Sequence, residues 1–197
     1  MVEVWQIDPA AGIAAYEATN AAEALEGASA ATIVSNLSRY QCTGNVLGAA
    51  TQVMLSVALP LKAGTVVTSL TFMSATTAAN TPTNWWFALY SPAGNLIAQT
   101  ADQTSTAWAS NTVKTLALSA AHTVTANGVY YAAVMMKAAA VPTFVGTALH
   151  HATVSGDLGT LGFKSLAQIS GASLVATAPA TIATPTAVVG VPLVIAT

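Results

Sequence analysis

The 197-residue chain carries 6% charged residues against 54% apolar ones, with a net charge of −2 at neutral pH and one cysteine. That balance excludes the basic footprint of a nucleic-acid binder, and the lone cysteine excludes an internal disulfide framework or a multi-cysteine metal site. The acidic first residues lack the basic and apolar regions of a secretory signal, and no run approaches the roughly 18 strongly apolar residues of a membrane span.

The few charges are unevenly placed. Glu3, Asp8, Glu17, Glu23 and Glu26 are five of the seven acids, and no Lys or Arg precedes Arg39. Residues 1–38 are therefore −5, and the remainder sets five basic residues against Asp102 and Asp157, or +3. An acidic arm on a mildly basic body suits docking onto another surface or a neighbouring copy. So sparse a set of charges cannot cover a free monomer, which favours burial against neighbours.

In chain order, Val2 to Ile7 alternates like a short strand. Asp8-Pro9 is a helix-start pair, and Asn20 to Glu23 has capping-box spacing before Gly27. The apolar face of this stretch, Trp5, Ile7, Ile13, Tyr16 and Leu25, is too thin for a core of its own. It reads as a docking arm, partly helical or extended, over residues 1–40.

From Thr51 onward the chain breaks into short strands with turn residues between them. Gln52 to Leu59 alternates, Pro60 to Gly64 turns it, and Thr65 to Met73 is rich in β-branched residues. Residues 74–83 form a polar loop. Asn84 to Thr100 predicts a β-hairpin around Ser91-Pro92-Ala93-Gly94-Asn95, with Trp85, Phe87 and Leu89 on one face and Trp86, Ala88 and Tyr90 on the other. A loop holding Trp108 precedes two short strands, Val113 to Leu118 and His122 to Thr125, closed by the turn pair Asn127-Gly128. Val129 to Ala138 is a long buried strand, which adds Tyr130 and Tyr131 to the core aromatics Trp85, Trp86, Phe87 and Tyr90. Residues 147–163 read as a contact loop with His150, His151 and Asp157. Residues 178–185 are extended, and Val188 to Ile195 is a terminal strand with Pro192 at an edge or bulge. The pattern predicts an all-β fold: a jelly-roll-like antiparallel β-sandwich over 41–197, carrying the arm.

Chemistry is harder to find. Asp102 and Asp157 fall in separate loops without polar company, so a paired-carboxylate mechanism is not expected. Adjacent His150 and His151 diverge on extended backbone, which is wrong for a shared metal face. His122 reads as a satisfied surface or interface residue, and Cys42 has no flanking charge to activate it. Serines lack a nucleophile elbow, and Gly44 to Gly48 lacks the helix of a phosphate loop. Aromatics such as Trp85, Trp86 and Trp108 would stack on sugar rings if exposed, but strand aromatics are more often core. No catalytic, cofactor or metal residue is expected.

Leu59-Pro60-Leu61-Lys62-Ala63-Gly64-Thr65-Val66-Val67-Thr68, Thr81-Pro82-Thr83-Asn84-Trp85-Trp86-Phe87-Ala88-Leu89-Tyr90 and Gly128-Val129-Tyr130-Tyr131 together resemble β-sandwich domains in virion proteins of tailed actinobacterial phages, of minor tail or structural type. The resemblance spans about 50–145, with the Pro-Ala-Thr-Ile stretch at 179–182 as a possible continuation. It rests on fold-forming residues and implies a structural or adhesive virion part with no catalytic residues. The acidic arm is not part of that pattern. The expectation is a capsid decoration or cementing protein on the virion exterior, a homo-oligomer taken as a trimer, with the major capsid protein or tail components as partners and neither nucleic acid nor membrane. The alternative is a minor tail or receptor-binding protein that touches a host glycan.

Overall fold

In the computed structural model, which describes residues 33–42, 44–148, 156 and 164–197, the chain divides into two units, Met1–Ala31 and Thr32–Thr197. The second unit is the sandwich. Its strands are β1 (Val34–Ser35), β2 (Gly44–Val46), β3 (Met54–Leu61), β4 (Val66–Met73), β5 (Asn84–Tyr90), β6 (Leu96–Gln99), β7 (Val113–Thr123), β8 (Gly128–Lys137), β9 (Phe144–Thr147), β10 (Ala167–Ser170), β11 (Thr186–Ala187), β12 (Val191–Pro192) and β13 (Val194–Ala196). A six-stranded sheet runs β11-β10-β3-β8-β5-β6, a four-stranded sheet β1-β13-β4-β7, and a small sheet β12-β9-β2. Every strand pair is antiparallel. The chain crosses between the two large sheets from β3 to β4, β4 to β5, β6 to β7 and β7 to β8, so the antiparallel sandwich expected from the strand pattern is the fold observed.

The sheets are joined by aromatics. Phe72 on β4 meets Phe87 on β5 with ring centroids 4.8 Å apart, and both rings approach Trp108 or Phe144 within 6.0 Å. Leu55, Val57 and Leu59 of β3 and Ala132, Val134 and Met136 of β8 fill the same gap, each fully or nearly fully buried. Period-two placement puts these side chains inward because each strand alternates faces.

The opposite face of the six-stranded sheet is buried too. Met54, Trp86, Ala88, Tyr90, Tyr131, Ala133 and Met135 form a second apolar cluster closed by Ala178, Leu174 and Ile182. Residues 174–182 cross this face without forming a sheet strand of their own, apart from the bridge of Thr181 to Asn95.

The β5–β6 hairpin forms as predicted, with Gly94 at φ +80° in the turn, a backbone region that favours glycine. Other expectations give way. Val113 to Thr123 is one strand, not two, because the register against β4 shifts at Val67/Ser69 and carries the pairing through. Asn127-Gly128 closes no hairpin: β7 and β8 lie in different sheets, and the Asn127 side chain instead accepts from the Ala63 amide at 2.8 Å. Pro60 and Leu61 belong to β3, so the turn begins at Lys62. The terminal segment splits at Leu193, with β12 at the edge of the small sheet and β13 inside the four-stranded one; Pro192, lacking an N–H, sits at the edge. Residues 34–41, assigned above largely to the arm, belong to the sandwich unit, since β1 pairs with β13 and Thr147 Oγ1 donates to the Gln41 carbonyl at 2.7 Å.

Candidate functional site

The residues singled out from the sequence divide three ways. The core aromatics Trp85, Trp86, Phe87, Tyr90, Tyr130 and Tyr131 are all buried. The arm residues Trp5, Ile7, Ile13, Tyr16 and Leu25 lie outside the described residues, as do His150, His151 and Asp157 of the contact loop.

The indoles are committed to structure. Trp85 Nε1 donates to the Thr106 carbonyl at 2.8 Å, Trp86 Nε1 to Val175 at 2.7 Å and Trp108 Nε1 to Thr112 at 3.3 Å. All three side chains are 0% exposed, so none presents a face to a sugar ring. Stacking on a glycan through Trp85, Trp86 or Trp108 is thereby excluded in this conformation.

Asp102 is likewise engaged. Its carboxylate accepts from Asn84 Nδ2 at 2.6 Å, from the Trp85 amide at 2.9 Å and from the Thr104 amide at 3.2 Å, which pins the 101–106 loop to the start of β5. A carboxylate holding three donors serves as a backbone anchor. His122 departs from the expectation of a satisfied surface or interface residue in its hydrogen bonding. Its ring packs against Tyr130 at 5.9 Å, and its buried Nε2 has no hydrogen-bond partner among the described residues. Cys42 is half-buried beside the Ser38 carbonyl, at 3.6 Å from Sγ. Among the described residues, no three His, Cys, Asp or Glu side chains converge as a metal would require.

The most polar recognition in the body is internal. Gln99 clasps the crossing segment from both sides, its Nε2 donating to the Ala176 carbonyl at 3.0 Å and its Oε1 accepting from the Ala178 amide at 2.7 Å. Tyr90 donates to the Pro179 carbonyl at 2.9 Å, and the Leu96 amide donates to Ala180 at the same distance. Burial pushes the Tyr90 phenol well above its ordinary range. Side chains and backbone of the sheet thus hold an extended, Pro- and Ala-containing stretch in place over Trp86 and Tyr131.

The described residues also form an open concavity. A pocket of about 700 Å³ lies where the small sheet meets the edge of the six-stranded one, walled by Val46, Leu47, Ala49, Ile169, Val188 and Val189 among others. Among the described residues its only lining side chain with a polar head is Asn45, whose Nδ2 donates to Thr76 Oγ1 at 2.9 Å. Leu47 is 80% exposed and Val189 39% exposed at its rim. Close backbone approach shapes this corner: a Cβ on Gly146 would collide with the Val191 carbonyl and reach within 2.8 Å of Pro192 Cα. Such a volume and lining suit apolar side chains, and among the described residues no charged group lines it.

Sequence reasoning did not find this pocket. Its walls come from residues 45–50, 55, 148, 169 and 188–190, stretches with no common periodicity. The available signal was the weak patterning around Gly44–Gly48 and Val188–Gly190, where paired apolar residues run into glycine without period-two alternation.

No family model matches this chain, and no curated protein matches it.

Proposed function

We propose that this chain is a non-enzymatic structural protein of a phage virion, a capsid decoration or cementing protein that binds the capsid exterior as a homo-oligomer. The observation that carries the reading is a contrast within the body. Its tryptophans and its one described acid, Asp102, are spent on internal structure, while the surface offers an apolar pocket and exposed apolar side chains such as Tyr40, Leu47 and Val113. A surface of this kind gains from contact. The resemblance to virion sandwich domains points the same way. Burial at about 25 cal/mol per Å² would drive attachment, and symmetric repetition on a lattice multiplies weak single contacts into stable binding. In this reading the acidic stretch before the sandwich supplies the connection to neighbours.

The test is co-sedimentation with capsids that lack the protein. The full chain should pellet with them, and a chain deleted for residues 1–31, folded by circular dichroism, should remain in the supernatant. Binding of the truncated protein at full strength would remove the arm from the account.

A further inference from the structure

We propose that Asn127 is a self-modification site: its side-chain amide is lost to attack by the backbone nitrogen of Gly128, and the product releases the loop entering β8 from the turn after β3. The inference is independent of the virion reading.

Asn127-Gly128 is the chain's one Asn-Gly pair. Glycine matters because a backbone nitrogen closes readily on the preceding asparagine side chain only where no Cβ crowds the approach. Asn127 is exposed, in the loop between β7 and Gly128, the first residue of β8. Gly128 occupies the last rung of the β3–β8 ladder, opposite Leu61, and strand ends open most readily. The side chain is also set for the reaction. Asn127 Oδ1 accepts from the Ala63 amide at 2.8 Å, whereas its Nδ2 has no hydrogen-bond partner among the described residues. The atom that becomes negative on attack therefore already faces a donor, and the group that leaves is unrestrained. Other asparagines differ: Asn36, Asn45 and Asn84 each donate through Nδ2, to Pro192, Thr76 and Asp102, and none precedes glycine.

In the first step the Gly128 nitrogen bonds to Asn127 Cγ and gives up its proton. The Cγ–Nδ2 bond breaks, ammonia leaves with that proton, and a five-membered succinimide closes. Water then opens the ring at either carbonyl to give aspartate or isoaspartate, so that a water is consumed for each ammonia released. Either product adds a carboxylate and takes the net charge from −2 to −3. Isoaspartate goes further. Its backbone runs through Cβ and Cγ and is longer by a carbon, so the Leu61–Gly128 rung and the Ala63 contact cannot both keep their places.

The test follows the full chain, held near pH 8 for days, by peptide mapping and hydrogen exchange. Trypsin should release residues 115–137, a peptide in which Asn127 is the sole side-chain amide. That peptide should convert progressively to forms heavier by the difference between OH and NH2, the isoaspartate share identified with an isoaspartate-specific methyltransferase. Exchange at the Ala63 amide should quicken in the aged protein while β5 stays protected. Ala63→Pro removes the donor and keeps the turn: Ala63 precedes Gly64, at φ +88°, in a turn closed by the Thr65 amide on the Lys62 carbonyl at 3.1 Å, and proline is favoured there. This variant should fold as wild type and lose its amide several-fold more slowly. A peptide that keeps its original mass would overturn the site. Unchanged exchange at Ala63 in the aged protein would overturn the release, and a variant ageing as fast as wild type or faster would overturn the donor's role.

Discussion

The indole of Trp86 donates to the carbonyl of Val175 at 2.7 Å across 89 positions of sequence, and in doing so fastens residues 174–182 over a sheet face that would otherwise be bare. Trp86→Phe should remove the donor and leave a small void. The expected cost is about 2 kcal/mol in urea unfolding. Hydrogen exchange should quicken at Ala178 and Ile182 before it does in β8, because the crossing segment loosens first.

The buried Tyr90 phenol makes the same region sensitive to alkali. Its folded pKa lies above the ordinary value of 10.0, so the folded state keeps a proton that the unfolded chain releases. The stability associated with it is complete below pH 10 and is lost progressively as pH rises from there toward the folded value. Denaturant midpoints should therefore be insensitive to this group at pH 7–9 and fall above pH 10. Tyr90→Phe should flatten that fall, while losing about 1 kcal/mol at neutral pH through the bond to Pro179.

Asp102 separates a structural from a catalytic role. Asp102→Ala deprives Asn84, Trp85 and Thr104 of their acceptor and should destabilise the sandwich by about 1–3 kcal/mol. If the residue served catalysis, Asp102→Asn would abolish a turnover measurable on cell-wall polysaccharide. The account expects no turnover from the wild type in that assay.

Gly146→Ala tests the corner that shapes the pocket. The added methyl would strike the Val191 backbone, which no rotamer change relieves, and should cost about 3 kcal/mol or prevent accumulation of soluble protein. Gly64→Ala is the control for added bulk: a Cβ there meets nothing within 4 Å, so its cost should be confined to the strain of φ +88°.

How far the sequence was legible depended on how local the determining physics is. The alternation of Trp85, Phe87 and Leu89 with Trp86, Ala88 and Tyr90 disclosed a strand buried on both faces, and Ser91 to Asn95 disclosed its turn. What covers Trp86 and Tyr90 was not legible, since residues 174–182 are recognised through their backbone carbonyls and amides, which every sequence possesses. Asn127-Gly128 misled for a related reason: turn chemistry fixes a change of direction, whereas the sheet that β8 joins is decided by its pairing with Met54–Leu61 and Asn84–Tyr90. The pocket was invisible because its walls gather from five separate stretches.

The central claim is tested most directly by copy number, obtained by quantitative mass spectrometry of purified virions against the major capsid protein. The account predicts hundreds of copies, in simple proportion to the capsid lattice. A handful per particle, in multiples of three or six, would contradict capsid decoration and move the protein to the tail.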